Sequence, residues 1–276
     1  MIFEVTADDI AALGDDPLRR LVALLAEQEL VRRDLSPSAV LSGGDQNAKD
    51  GGIDVRVELG DGVTIDGFVP RSDTGFQAKA TDMPASKIEE EMVPKGKLLD
   101  SIADLATKNG AYIIVSSQGS IADTPLKNRR EAMRACIDNA ELPGDLHVDF
   151  YDRQRLATWV NQHPGLINWV KHTIGRSFSG WRPYADWSSK PSDTEYVQDD
   201  EVRLHLGKSS EPHGVSASDG IERLRETLRQ PKTVVRLVGL SGVGKTKLIH
   251  ALFDERVGEN ALHGSRAIYT DVGDNP

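Results

Sequence analysis

Ala111-Tyr112-Ile113-Ile114-Val115-Ser116 is a continuous apolar run of strand length. A strand that does not alternate is buried on both faces and needs cover above and below the sheet. The flanking sequence supplies helices. Over 16–32, Leu18, Leu21, Val22 and Leu25 repeat at helical spacing. Residues 84–109 carry Ile88, Met92, Leu98, Leu99, Ile102 and Leu105 as apolar positions of a helix. Pro125 sits at a helix start, with Leu126, Met133 and Ile137 as its core stripe. Leu146–Tyr151 reads as a strand, and Asp152 is placed to cap a helix reaching about Gln162. Pro164 opens another helix that Gly175 closes. Strands near 53–59, 63–69 and 75–80 are separated by turns at Gly60-Asp61-Gly62 and at 70–74. The order predicts an α/β fold over 1–175, a mixed sheet flanked by helices.

The totals bound what else the chain can be. Its 276 residues have room for one large or two modest domains. A net charge of −10 argues against a generally basic nucleic-acid coat. The single cysteine, Cys136, excludes an internal disulfide and any cysteine-rich zinc site, which fits a reducing cytoplasm. No apolar run approaches the roughly 18–20 residues that a membrane span needs. The first residues, Met1-Ile2-Phe3-Glu4-Val5, lack a basic and apolar leader pattern. The expectation is a cytoplasmic protein without a membrane partner.

Residues 176–215 are poor in aliphatic side chains and hold Trp181, Pro183, Tyr184, Trp187 and Pro191, a linker composition. A helix follows over Asp219–Arg229, then Thr233–Val238 as a strand. That strand runs into Gly239-Leu240-Ser241-Gly242-Val243-Gly244-Lys245-Thr246 and a helix beginning at Lys247. This is G-x4-G-K-T between a strand and a helix. Its backbone N–H groups at Gly239, Ser241, Gly242, Val243 and Gly244 would cradle phosphates. Lys245 would reach the β- and γ-phosphates of ATP or another NTP, and Thr246 would hold Mg2+. Arg266–Asp271 reads as a strand ending in an acid. It follows the loop's helix directly, an order that argues against Asp271 as the acid of an ATPase. A complete NTPase module needs roughly 150 residues or more, so 216–276 reads as an incomplete N-terminal portion of one.

The second constellation lies between Gly43 and Lys79. Asp54 stands near the start of one strand, and Gln77 and Lys79 share a face of another. Acid, amide and ammonium together suit a metal ion, a water and a phosphate. Asp54 offers a hard carboxylate for Mg2+, Gln77 an amide oxygen, and Lys79 a cation for developing negative charge. Asp45 and Asp50 are close enough in sequence to add a second carboxylate. Glu29 falls within about 20° of Leu18 on the first helix, on the core-facing stripe. The basic positions Lys127, Arg129, Arg130 and Arg134 could track a DNA backbone or form a solvated helix face.

Asp50-Gly51-Gly52-Ile53-Asp54, followed by Gln77-Ala78-Lys79, resembles the PD-(D/E)xK nuclease superfamily in its Mrr-type restriction-endonuclease branch. Together with the G-x4-G-K-T segment, the chain is similar to the N-terminal part of an antiviral STAND NTPase with a nuclease effector. The resemblance covers roughly 15–175 and 216–276. It implies a restriction-endonuclease-like mixed sheet followed by a truncated P-loop NTPase segment. It also implies Mg2+-dependent cleavage of double-stranded DNA and a homo-oligomer formed through the NTPase region. Asp54, Gln77 and Lys79 would be catalytic, with Asp54 and Gln77 on the metal. Such folds often aim a first-helix Glu at the metal, nearer the helix start, where this chain has Leu18 and Arg19. Glu29 is the candidate here. Two other readings remain open: a non-catalytic DNA- or partner-binding module with a vestigial nucleotide segment, and a free-standing type IV-like restriction enzyme.

Overall fold

A computed structural model describes residues 4–42, 52–60, 62–119, 122–140, 142, 144–178, 180–183, 202–207, 213–230, 232–254, 256–262, 264 and 267–270. The chain divides into two compact units, one running to Trp181 and one from Arg182 to Tyr269.

The elements of the first unit, in chain order, begin with α1 (Ala7–Ala11), α2 (Asp15–Val31), β1 (Val40–Ser42), β2 (Val55–Glu58) and β3 (Asp73–Lys79). Then come α3 (Ala85–Met92), α4 (Asp100–Thr107), β4 (Ala111–Ser116), α5 (Asp123–Asp138), β5 (His147–Tyr151), α6 (Arg153–Val160) and α7 (Pro164–Thr173). The strands form one five-stranded mixed sheet in the order β1-β2-β3-β4-β5. β2 runs antiparallel to both β1 and β3, with Val55 opposite Phe76. β3, β4 and β5 are parallel, with Gln77 opposite Ile114.

The run Ala111–Ser116 is buried at every position because each face serves a different core. Ala111, Ile113 and Val115 join Phe76, Ala78, Val55 and Val57 against α1, α2, α6 and α7. Tyr112 and Ile114 join Phe150 against α3, α4 and α5. The first core is anchored by Phe68, which stacks on Trp159 at 5.0 Å, with Tyr151 edge-on to Trp159. Local chemistry fixes the helix starts. Thr6 and Asp9 form a capping box on α1. Asp152 accepts from the Arg155 N–H at 2.8 Å and caps α6, as its position predicts.

Three predicted elements differ. No strand forms over 63–69, because β2 pairs directly with β3 and β1 takes the edge beyond it. That edge, Val40–Ser42, lies ahead of the first predicted strand, where no strand was expected. The helix over 84–109 is two helices, since Pro94 cannot continue the ladder and Lys95 and Gly96 take positive φ. The break ends α3 over the sheet. Asp45, Asp50 and Asp271 lie outside the described residues.

In the second unit, β6 (Arg203–Leu204) pairs antiparallel with β7 (Val215–Ser216), within the stretch read as a linker. Ser216 then caps α8 (Ala217–Arg229), accepting from the Asp219 N–H at 3.1 Å. α9 (Lys245–Leu252) packs against α8 through Ile221, Ala251 and Leu252. The segment 233–238 is not a strand. Its β-branched residues favour an extended backbone, but a ladder needs a neighbour, and none pairs with it among the described residues. Val234, Val238 and Leu240 stand exposed as a result. A short strand at Ile268–Thr270 falls inside the predicted 266–271.

Arg225 organises this unit. Its guanidinium is buried and donates to the carbonyls of Ala251, Leu252, Asp254, Val257 and Glu259. It thereby satisfies orphan acceptors at the end of α9. Arg225→Ala leaves them without that donor, at a cost of roughly 2 kcal/mol, or about 30-fold in the local opening equilibrium. Hydrogen exchange over 248–262 is expected to accelerate by that factor; unchanged protection there would refute the capping role.

Candidate functional site

The structure brings Asp54, Gln77 and Lys79 together at one end of the sheet. Asp54 precedes β2, where the chain crosses to the end of β3, and its N–H donates to Phe76 O at 2.8 Å. Its Oδ2 accepts from the Ala78 N–H at 2.7 Å, and its Oδ1 lies 3.1 Å from Arg19 Nε. Gly52 sets the approach. It has φ +83°, and a Cβ there would come within 2.5 Å of Leu99 Cδ1. Gln77 and Lys79 point to the α3 side of β3, at the carboxyl ends of the parallel strands, where crevices of open α/β sheets form.

Three partners were not anticipated. Glu91, near the end of α3, accepts through one oxygen, Oε2, from Gln77 Nε2 at 2.9 Å and from Lys79 Nζ at 2.8 Å. Tyr112 donates its hydroxyl to Gln77 Oε1 and lies 3.4 Å from Gly52 O. Arg19, in the first turns of α2, pairs with Asp54 and reaches Asp16 at 3.6 Å. Periodicity did not single out Glu91. At helical spacing it lies about 60° from the buried Ile88 and about 100° from the buried Met92, while Glu89 lies about 100° and about 60° from the same two.

Burial pushes the Tyr112 phenol up from its ordinary range, and the negative charges of Glu91 and Asp54 push it further. Among the described residues, no group of three or more His, Cys, Asp or Glu could hold a metal. Mg2+ is commonly held by one or two carboxylates and several waters rather than by an all-protein cage, so Asp54 and Glu91 are the acids here that could hold it.

At the second constellation, Gly242 and Gly244 have φ of +83° and +87°, alternating with residues of negative φ. Such alternation turns successive N–H groups toward one concavity. Gly244 is the N-cap of α9 and offers no capping side chain. Lys245 Nζ donates to Gly239 O at 2.9 Å and Leu240 O at 2.6 Å, so the loop curls around its ammonium. Ser241, Val243 and Thr246 are exposed.

No family model, no curated protein and no solved structure matches this chain. The functional reading therefore stands on the residues themselves. No helix among the described residues is long and apolar enough to cross a membrane.

The basic face of α5 is largely spoken for. Arg129 is buried, bound to Asp82 and Met83 O, and lies over the Phe150 ring at 5.0 Å. Arg130 pairs with Asp149 at 2.6 Å, and Lys127 lies 3.7 Å from Glu131. Only Arg134 of the four is exposed without an assigned contact here.

Glu29 is not brought to the Asp54 group. Arg19 of α2 touches Asp54, and Glu29 lies ten residues on, about 15 Å along the helix axis. Its buried carboxylate bonds Arg33, accepts from Trp159 Nε1 at 3.3 Å and lies 3.5 Å from His163 Nε2. Arg33 also reaches Asp66 at 3.1 Å. Burial alone would raise the Glu29 carboxyl, but His163, Arg33 and Trp159 outweigh it and lower the value from 4.5 to about 2. A lowered folded-state value contributes stability that is present above pH 4.5 and lost as pH falls toward 2. The gap corresponds to roughly 3 kcal/mol. Glu29→Gln is expected to lower stability near neutral pH and to flatten its decline across that window. Urea unfolding at several pH values reads this directly; parallel curves for variant and parent would contradict it.

Proposed function

We propose that the first unit is a Mg2+-dependent DNA endonuclease and that the 239–246 loop of the second binds the phosphates of ATP or another NTP. The observation that carries the nuclease reading is the convergence of Asp54, Gln77 and Lys79, from two neighbouring strands, beside a further carboxylate at Glu91. Double-stranded DNA is the substrate class that the motif resemblance favours. On the same reading the protein acts in phage defence, with the NTP-binding segment as the regulatory and oligomer-forming part.

Asp54 would hold the metal, which when bound polarises the phosphoryl oxygen and acidifies a water. Asp54 is fixed for this by the Ala78 N–H on one oxygen. Lys79 keeps a positive charge beside the reacting phosphate, where it orients the water and stabilises the negative charge that develops. Glu91 holds the Lys79 ammonium in place from α3. A cation held by Asp54 would compete with Arg19 for its carboxylate, and a guanidinium displaced there would be well formed to grip a phosphate. In the loop, Lys245 would exchange the carbonyls of Gly239 and Leu240 for phosphate oxygens.

One observation favours a non-catalytic binding module. Asp54 and Lys79 each already hold a counter-ion, Arg19 and Glu91. Such a module would retain DNA without cleaving it and without needing metal.

Supercoiled-plasmid nicking by the full chain, with Mg2+ or EDTA, separates the two. Metal-dependent nicking is expected to fall roughly 100-fold or more in Asp54→Ala and in Lys79→Ala. Cleavage that survives both substitutions would sink the assignment, and DNA retention without cleavage would support the binding module. For the loop, Lys245→Ala is expected to weaken a fluorescent ATP analogue by about 10-fold or more, the worth of a charge-assisted bond. Equal affinity in the variant would remove the loop from nucleotide binding.

A further inference from the structure

Gln77 stands where a second metal-binding oxygen is needed, yet its side chain is committed at both ends. A carboxylate only accepts hydrogen bonds, so the contact with Glu91 requires the NH2 end of the amide to face it. The amide oxygen then faces Tyr112, whose hydroxyl donates to it. Gln77 is also buried, at 3% exposure. The Glu91 side chain is 34% exposed and that of Asp54 is 19% exposed. The oxygens within reach of a hydrated cation therefore belong to Glu91 and Asp54. Both bonds that Glu91 makes to Gln77 and Lys79 use Oε2, so neither occupies Oε1.

We infer that Glu91 supplies the second carboxylate of the metal site and that Gln77 is the positioning residue that holds it there. This rests on the metal-dependent reading of the first unit. The acid that the strand position lacks is delivered from α3. The break at Pro94–Gly96 ends that helix just beyond Glu91, over β3. The site then carries two negative charges rather than one, which raises its affinity for a divalent cation. The Tyr112–Gln77–Glu91 chain of hydrogen bonds fixes the direction of the carboxylate, as partners behind a metal ligand do.

The test is Mn2+ binding by the full chain, read from the electron paramagnetic resonance signal of free Mn2+, with circular dichroism to confirm each fold. Glu91→Gln and Asp54→Asn are each expected to weaken binding by about 10-fold or more, at least the effect seen for residues that only support a ligand. Glu90→Gln removes the same charge one residue away, on an exposed position paired with Lys87, and should bind as the parent does. Glu91→Asp keeps the charge and withdraws the carboxylate by one methylene. It is expected to weaken binding as well, and it serves if Glu91→Gln fails to fold. Gln77→Leu should lose less affinity than Glu91→Gln. Parent-like binding by Glu91→Gln, with loss in Asp54→Asn, overturns the inference and leaves the metal reading standing. Loss in Gln77→Leu with none in Glu91→Gln makes the amide oxygen the ligand and overturns it too. Absence of Mn2+ binding by the parent protein brings down the metal reading itself.

Discussion

The two hydrogen-bonded edges of β3 set the geometry on which the first unit depends. One edge pairs antiparallel with β2 and the other parallel with β4, and both faces of the strand are covered. Phe76 and Ala78 therefore enter the core that Trp159 anchors, while Gly75 and Gln77 face α3 and α4. The cover is close enough that a Cβ at Gly75 would come within 2.8 Å of Ile53 Cδ1 and 2.9 Å of Leu105 Cδ1. A polar side chain on such a strand cannot be left to water. Burying an unpaired amide would cost roughly 1–3 kcal/mol. Gln77 meets that demand with Tyr112 on one side and Glu91 on the other. The candidate site is in this sense a consequence of where β3 lies in the sheet.

Charge is distributed by the same logic. The chain is acidic overall, yet among the described residues many cations are held by specific acids. Arg56 binds Asp73 and reaches Asp104 at 2.8 Å, and Lys171 and Arg176 bind the buried Asp9 at 2.6 and 2.8 Å. Exposed ion pairs are worth about 0–1 kcal/mol each. The Asp9 cluster counts for more, because its carboxylate is buried and the surrounding donors outweigh that burial, lowering it to about 2. The basic side chains of α5 belong to this internal accounting. Arg129 packs under the loop at Asp82 and Met83, which removes it from any surface stripe that could meet DNA.

Much of the first unit was legible because its signals are local. Ala111–Ser116 has no alternation and is buried on both sides. Asp152 sits where an N-cap must, and Gly175, with φ +70°, closes the last helix. The failures among the strands share one cause, which is pairing. Residues 63–69 and 233–238 have strand-like composition, but whether a segment becomes a strand is decided by an available neighbour. Val40–Ser42 has that neighbour in β2, and 63–69 does not. The helix break at Pro94 was readable in principle. The apolar periodicity runs across it, because Met92 and Leu98 face the same core on either side.

The two constellations differ in how much of their chemistry is written in one place. The groups that would hold a phosphate at 239–246 are backbone N–H donors, a lysine and a threonine from one short segment. Their arrangement depends on positive φ at Gly242 and Gly244, so a motif of eight residues specifies nearly all of it. The Asp54 group is built the opposite way. Arg19 comes from α2, Asp54 from the entry to β2, Gln77 and Lys79 from β3, Glu91 from α3 and Tyr112 from β4. Periodicity could place each residue on a face of its own element. It could not say which faces would meet, and for that reason Glu29 could be assigned to the correct stripe of α2 and still stand about 15 Å along the axis from Asp54. The same feature makes the site sensitive to the fold. A shift of α3 moves the Glu91 carboxylate and the Lys79 ammonium together, because they share one oxygen. The negative charge of the site and the position of the Lys79 ammonium are thus coupled through a single helix.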